Sequence, residues 1–162
     1  MSGGFRIGSG FDAHKLVPGR PLMLGGVRVA YDRGLAGHSD GDCVIHAICD
    51  ALLGAAAAGD MGRYFPSSDE RWRGVASTVF LEETARLVAE RAFEIENIDA
   101  SIVAQAPALA SYAEEMRRVV SRALGIGVVD VSIKAKSADG LGALGRGDGI
   151  AALATALLRR KG

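Results

Sequence analysis

Gly37-His38-Ser39-Asp40-Gly41-Asp42-Cys43-Val44-Ile45-His46 holds two of the chain's three histidines, and the third, His14, follows Asp12 by two residues. Ser39, with Asp42 three residues on and Val44, Ile45, Ile48, Leu52 and Leu53 beyond, predicts a capped helix start. That helix is expected to run from about Asp40 to Ala58, with Gly59 placed to end it. Asp42, His46 and Asp50 then share one stripe, because side chains four apart stack on the same face. Two imidazoles and a carboxylate are a sufficient ligand set for a catalytic zinc that keeps its fourth position open. Asp12, His14 and His46 supply that set. A lone helical histidine usually only packs, but here all three histidines fall in one short region, each close to an aspartate. If His38 and Ser39 merely began a helix, Asp12 and His14 at a strand end would have no use.

Outward from this stretch, Phe5 to Phe11 reads as a strand that delivers Asp12 and His14 just past its end. Leu22–Leu24 and Val27–Val29, separated by Gly25-Gly26, read as a hairpin. Gly59 to Ala76 is too long to be a mere connector and is a functional loop by expectation. Ser77 to about Ala92 is an amphipathic helix with Phe80, Leu81, Leu87 and Val88 inward. Ile98 to Ala104 alternates as a strand stopping at Pro107; Tyr112 to Leu124 is helical up to Gly125; Val131 to Ala135 is a short strand. The tail, Ile150 to Leu158, leans to helix by propensity, although its flanking glycines and short length allow a buried strand.

A chain of 162 residues implies one domain. Acids and bases balance at 19 each, which excludes a basic field for nucleic acid or membrane surface. No apolar run approaches a membrane span, and the N-terminal residues lack a signal-peptide pattern, so a soluble cytoplasmic protein is expected. Cys43 and Cys49 read as small core residues in a reducing compartment. The 22 glycines in an apolar chain point to tight turns and close backbone approaches.

Two segments match the dinucleotide fingerprint and are rejected. Gly8-Ser9-Gly10-Phe11-Asp12-Ala13 is followed by Pro18-Gly19 where a long helix should run, and Gly140-Leu141-Gly142-Ala143-Leu144-Gly145 has no βαβ unit after it. The second loop is instead expected to bind phosphate through bare N–H groups and the fork of Arg146. Asp60-Met61-Gly62 and Phe65-Pro66-Ser67-Ser68-Asp69 gather acids, hydroxyls and turn formers in the long loop.

Taken together, Arg6 to Gly8, Asp12-Ala13-His14, His38 to Asp42 with His46, and Asp50 to Gly54 resemble the 2-C-methyl-D-erythritol 2,4-cyclodiphosphate synthases. Gly59 to Gly62, Phe65-Pro66, Ala104 to Pro107 and Gly145-Arg146-Gly147 continue the resemblance in order over nearly the whole length. It implies an α+β subunit, one domain over residues 1–162, with helices on one face of a mixed sheet. It also implies a homotrimer with active sites between subunits, and a final segment that is a strand rather than a helix. The implied reaction closes 4-diphosphocytidyl-2-C-methyl-D-erythritol 2-phosphate to the 2,4-cyclodiphosphate with release of CMP, in isoprenoid precursor synthesis.

By the same likeness, zinc sits on Asp12, His14 and His46, and His38 with Ser137 steadies the transition state. Asp12, Ala13, His14, His38 and Ser39 meet the diphosphate; Asp60, Met61 and Gly62 hold the erythritol hydroxyls, and Phe65, Pro66, Ser67, Ser68 and Asp69 close over them. Ala104, Gln105, Ala106, Pro107, Ala108, Leu109 and Ala110 frame the cytosine with Lys136, Ser137, Ala138 and Asp139. Magnesium or manganese bridges the phosphates near Asp139, and Arg146 faces a central cavity able to take an isoprenoid diphosphate. The chain departs from the family pattern at Asp139 for a glutamate, Ser137 for a threonine, Ala108 for a lysine, Ser67 for an aspartate and Ala143 for an aromatic. Two rivals are a zinc phosphohydrolase and a trimeric binder of isoprenoid diphosphates without catalysis.

Overall fold

Gly8 and Gly10 decide how closely the first helix can lie on the sheet. A Cβ at Gly8 would fall 2.0 Å from the Ala51 carbonyl oxygen, and one at Gly10 would fall 1.9 Å from that of Ala47. Helix α1 (Cys43–Ala55) therefore rests almost backbone to backbone on strand β1 (Phe5–Pro18). The glycines that imitate a dinucleotide loop are a packing surface. The structure, a computed structural model, describes residues 4–162.

Strand β1 is twice as long as its alternation suggests. It pairs with β7 (Gly149–Arg160) from Phe5 to Lys15 and then with the short edge strand β4 (Arg33–Leu35), which the sequence pattern did not signal. β5 (Phe93–Val103) lies on the other side of β7, and β6 (Val131–Lys136) runs parallel to β5 at the edge. The sheet order is β4-β1-β7-β5-β6, mixed because only the β5–β6 pair is parallel. The tail is thus the central strand, against the helical lean of its alanines. Ladders on both sides outweigh propensity, and Ala152, Ala154 and Ala156 are small enough to sit beneath the closely approaching α1.

Three further departures concern element ends. The N-cap of α1 is Asp42, whose carboxylate accepts from Val44 and Ile45 N–H; Ser39 does not cap it. Asp42 is fully buried and also accepts from Gly25 and Gly26 N–H at 2.9 and 2.7 Å, so it leaves the stripe of His46 and Asp50 and joins the core. Those glycines form the turn of the β2–β3 hairpin (Leu22–Leu24, Val27–Val29), both at positive φ as a primed turn requires. At its other end α1 stops before Gly59: Ala57 takes φ 53°, and Ala58 N–H closes onto Leu53 O at 2.8 Å.

The long loop contains α2 (Met61–Tyr64) and a 3₁₀ turn at Glu70–Trp72. α3 (Ser77–Glu90) packs on α1, and α4 (Ala113–Leu124), ended by Gly125 at φ 68°, packs on α3 and β6. These helices cover one face of the sheet. On the other, Phe5, Ile7, Phe11 and Leu153 are exposed, Ile7 by 73%. Among the described residues, no helix is long and apolar enough to cross a membrane.

Candidate metal centre and the cleft around it

Period two along β1 puts Gly8, Gly10, Asp12 and His14 on the helix side, while Ala13 turns to the opposite face. His46, in the first turn of α1, stands over them. Asp12 Oδ2 lies 2.8 Å from His14 Nε2 and 3.0 Å from His46 Nδ1, and the two ring nitrogens are 3.4 Å apart. One ligand atom from each residue falls within 4.8 Å of the others, and this is the one such cluster among the described residues. Burial pushes the Asp12 carboxyl up, but hydrogen bonds from both imidazoles outweigh it and hold the group well below the carboxylate range. The Asp12 hydrogen bond raises His14 against the lowering effect of burial. Two imidazole nitrogens crowded on one carboxylate oxygen in a half-buried corner is a donor set that fits a divalent zinc-like cation.

These residues line a cleft of about 230 Å³ together with His38, Ser39, Asp50, Met61, Phe65, Ser67, Trp72 and Phe80. The loop carrying His38 is pinned from three sides. Arg20 donates to the carbonyls of Gly37 and Ser39 at 3.0 and 2.7 Å; His38 Nε2 donates to Asp69 O at 3.1 Å; Gly74 N–H donates to His38 O at 2.8 Å. Asp60 caps α2 through Arg63 N–H, and Asp69 caps the 3₁₀ turn through Arg71 N–H; neither carboxylate lines the cleft. Gly62, Pro66 and Ser68 also lie outside its lining. Asp50, on the expected stripe with His46, accepts from Met61 N–H at 2.8 Å, and burial raises its carboxyl despite that bond.

Sequence reasoning took Phe80 only for core and passed over Trp72. Phe65, Trp72 and Phe80 form an aromatic wall with ring centroids 4.8 to 5.5 Å apart. A single tryptophan inside the long loop was the signal for it.

The residues expected to frame the cytosine form a separate cleft, also about 230 Å³, whose lining includes Ala104, Gln105, Pro107, Ala108, Leu109, Ala110, Lys136 and Ser137. It shares no lining residue with the first, so one chain does not bring Ser137 to His38. Asp139 sits beside it at φ 51°, a conformation aspartate tolerates, with its N–H donating to Ser137 Oγ at 3.3 Å. The glycine-rich loop does not offer the bare amides expected of a phosphate nest. The N–H groups of Gly145, Arg146, Gly147 and Asp148 all close onto carbonyls of the short helix α5 (Gly142–Gly145) and its flanks. Arg146 is exposed and paired with Asp148 at 2.9 Å.

A five-stranded mixed sheet backed by helices, with an Asp-His-His corner opening into a half-aromatic cleft, places the chain in the class of single-domain α+β proteins built around a metal-ligating centre. Within that class the chain belongs to the YgbB family, whose model matches residues 5–159. The protein named 2-C-methyl-D-erythritol 2,4-cyclodiphosphate synthase from Desulfatibacillum aliphaticivorans is 50% identical over 153 residues, 94% of this chain and 99% of its own. That from Laribacter hongkongensis is 53% identical, with 96% of each chain covered. Among solved structures, the bifunctional IspDF from Campylobacter jejuni superposes at a TM-score of 0.95 with 35% identity, over 98% of this chain and 43% of that one. The CDP complex of IspF from Plasmodium falciparum gives 0.86 with 32% identity, over 98% of both.

Proposed function

We propose that this chain is a phosphorus–oxygen lyase that converts 4-diphosphocytidyl-2-C-methyl-D-erythritol 2-phosphate to 2-C-methyl-D-erythritol 2,4-cyclodiphosphate and CMP. The observation that carries the reading is the convergence of Asp12, His14 and His46 at the mouth of a cleft, in a chain that matches synthases of that name end to end. The reaction sets a negative phosphate against another, so neutralisation and in-line positioning must supply most of the acceleration. Asp12, His14 and His46 hold a zinc ion, which when bound supplies Lewis acidity and charge neutralisation at a substrate phosphate. Magnesium or manganese, bound with the phosphates near Asp139, is the second ion.

The chain's own groups do the rest. His38 and Ser39, on a loop fixed by Arg20, donate to the diphosphate. Met61, Phe65 and Ser67 line the cleft where the erythritol sits. Asp60 and Gly62 complete its hydroxyl contacts, while Pro66, Ser68 and Asp69 belong to the segment that covers it. Ala104 to Ala110 hold the cytosine largely through backbone groups, with Lys136, Ser137, Ala138 and Asp139. Because the two clefts are separate on one chain, a homotrimer that seats a neighbour's nucleotide cleft against the metal cleft unites His38 with Ser137. The exposed apolar sheet face is the surface that supports such assembly. Arg146 faces the axis, where an isoprenoid diphosphate binds once its ion pair with Asp148 opens. The cytoplasm is its compartment.

Turnover of the cytidylated substrate with product analysis is the test. Cyclic diphosphate and CMP are expected, and Asp12→Asn and His46→Ala each lower turnover at least about a hundredfold. Unchanged turnover in both variants, or inorganic phosphate as the product, rules the assignment out.

A further inference from the structure

Only two acids line the metal cleft, Asp12 and Asp50. Asp12 is taken up by His14 and His46, while Asp60 and Asp69 turn away to cap the short helical turns of the long loop. Asp50 sits one turn beyond His46 on α1, on the same stripe. Its Oδ1 accepts from Met61 N–H at 2.8 Å, which holds the carboxyl against the start of α2. Its Oδ2 has no protein partner among the described residues. The buried side-chain polar atoms without one are Trp72 Nε1 and Thr84 Oγ1, so Asp50 Oδ2 is open to whatever fills the cleft.

The rest of the lining decides what that oxygen can meet. No lysine or arginine lines the cleft, and Met61, Phe65, Trp72 and Phe80 make much of its wall apolar. An ionised carboxylate accepts hydrogen bonds and donates none. Phosphate oxygens are acceptors of the same charge, so they are driven away from Asp50, toward the metal corner and the donors of the His38 loop. A hydroxyl fits, because it brings the proton that Oδ2 lacks.

We propose that Asp50 is a specificity-determining residue: through Oδ2 it accepts a hydroxyl of the substrate's polyol part, and it turns phosphate groups away from that side of the cleft. In the cytidylated substrate the 2- and 4-oxygens are esterified, which leaves the hydroxyls at C1 and C3, and one of them is the donor. The identity of the polyol rests on the functional reading above; the repulsion of phosphate does not.

D50N separates this contact from the tie to Met61. Asparagine keeps an acceptor for the Met61 N–H and replaces the open oxygen by an amide donor. The full chain, loaded with zinc, is assayed with the substrate and with its 1-deoxy and 3-deoxy analogues, and its affinity for inorganic pyrophosphate is measured by calorimetry. D50N should raise KM about 10- to 100-fold, with kcat and melting temperature little changed. One deoxy analogue should lose a similar factor with the wild type and little more with D50N. Pyrophosphate should bind D50N about 10-fold more tightly. A D50N protein with the wild-type KM overturns the proposal. So, without any variant, do two deoxy analogues that the wild type turns over as well as the substrate itself. Pyrophosphate bound equally by both proteins, or more weakly by D50N, overturns the repulsion. A wild type that forms no cyclic diphosphate ends the functional reading and takes the hydroxyl contact with it, whereas pyrophosphate binding still decides the repulsion.

Discussion

At Gly10 one methyl group would decide whether the first helix can sit where the metal corner needs it. The Ala47 carbonyl lies so near that neither backbone can yield without moving both elements. Gly10→Ala is expected to destabilise the fold by about 3 kcal/mol or more, seen as an earlier urea midpoint; a midpoint within error of wild type would contradict the close packing. The ligand pair has its own pH signature in chelator-treated protein. Asp12 is held below its ordinary 3.8, so its contribution is present above that value and is lost as pH falls toward the folded pKa. His14 is raised above 6.5, so its contribution is complete below that value and is lost as pH rises through the folded pKa. Melting temperature should therefore fall on either side of a window from about 4 to 6.5, and His14→Gln should flatten the alkaline limb. Burial pushes the Cys49 thiol up to about 12, and Cys43 rises well above its usual range for the same reason. Neither thiol should react with a disulfide reagent at pH 8 until the chain unfolds.

Between elements, Asp42 is the tie. Its carboxylate serves the start of α1 and the turn of the β2–β3 hairpin at once. Burial raises its carboxyl, and the backbone N–H bonds, that of Gly26 foremost, work against that rise. Asp42→Ala leaves four N–H groups without their acceptor, and unmet buried donors weaken a fold by about 1–3 kcal/mol each. A loss of about 3 kcal/mol or more is expected by chemical denaturation. Arg20 does something different, since it holds two carbonyls on either side of His38 and no core group. Arg20→Met should lower kcat/KM about tenfold or more by loosening that loop, while the melting temperature moves little. A parallel loss of both would make Arg20 a structural residue only.

For the whole molecule the telling feature is the uncovered side of the sheet. Phe5, Ile7, Phe11 and Leu153 form an exposed apolar face opposite the helices. On the proposed homotrimer, Phe11→Asp with Leu153→Asp should yield a monomer by light scattering where the wild type is expected to be a trimer. The same variant should lose turnover while binding zinc normally, because each chain carries the complete Asp12-His14-His46 triad, whereas the proposed shared site takes its second cleft from a neighbour. A monomeric wild type with full activity would sink the shared-site reading.

Asp12, His14 and His46 were legible as a ligand set because coordination chemistry restricts residue type and the histidines are few. The hairpin at Gly25-Gly26 was legible because positive φ is a local demand. The end of α4 at Gly125 was readable for the same reason, as were the inward faces of α3 and β5 from their periods. Local rules failed wherever a distant partner outbid them. Asp42 took the cap that Ser39 was expected to supply, because the hairpin amides meet it there. The alanine-rich tail became the central strand because β1 and β5 pair with it on both sides. The glycine-rich loop closed on its own carbonyls instead of staying bare for phosphate. Residue chemistry thus settled which side chains can bind a cation. Only tertiary packing decided that they meet, that Ser77 and Asp40 stand behind them, and that one chain leaves the second cleft apart, since contacts between remote segments leave no periodic trace in either.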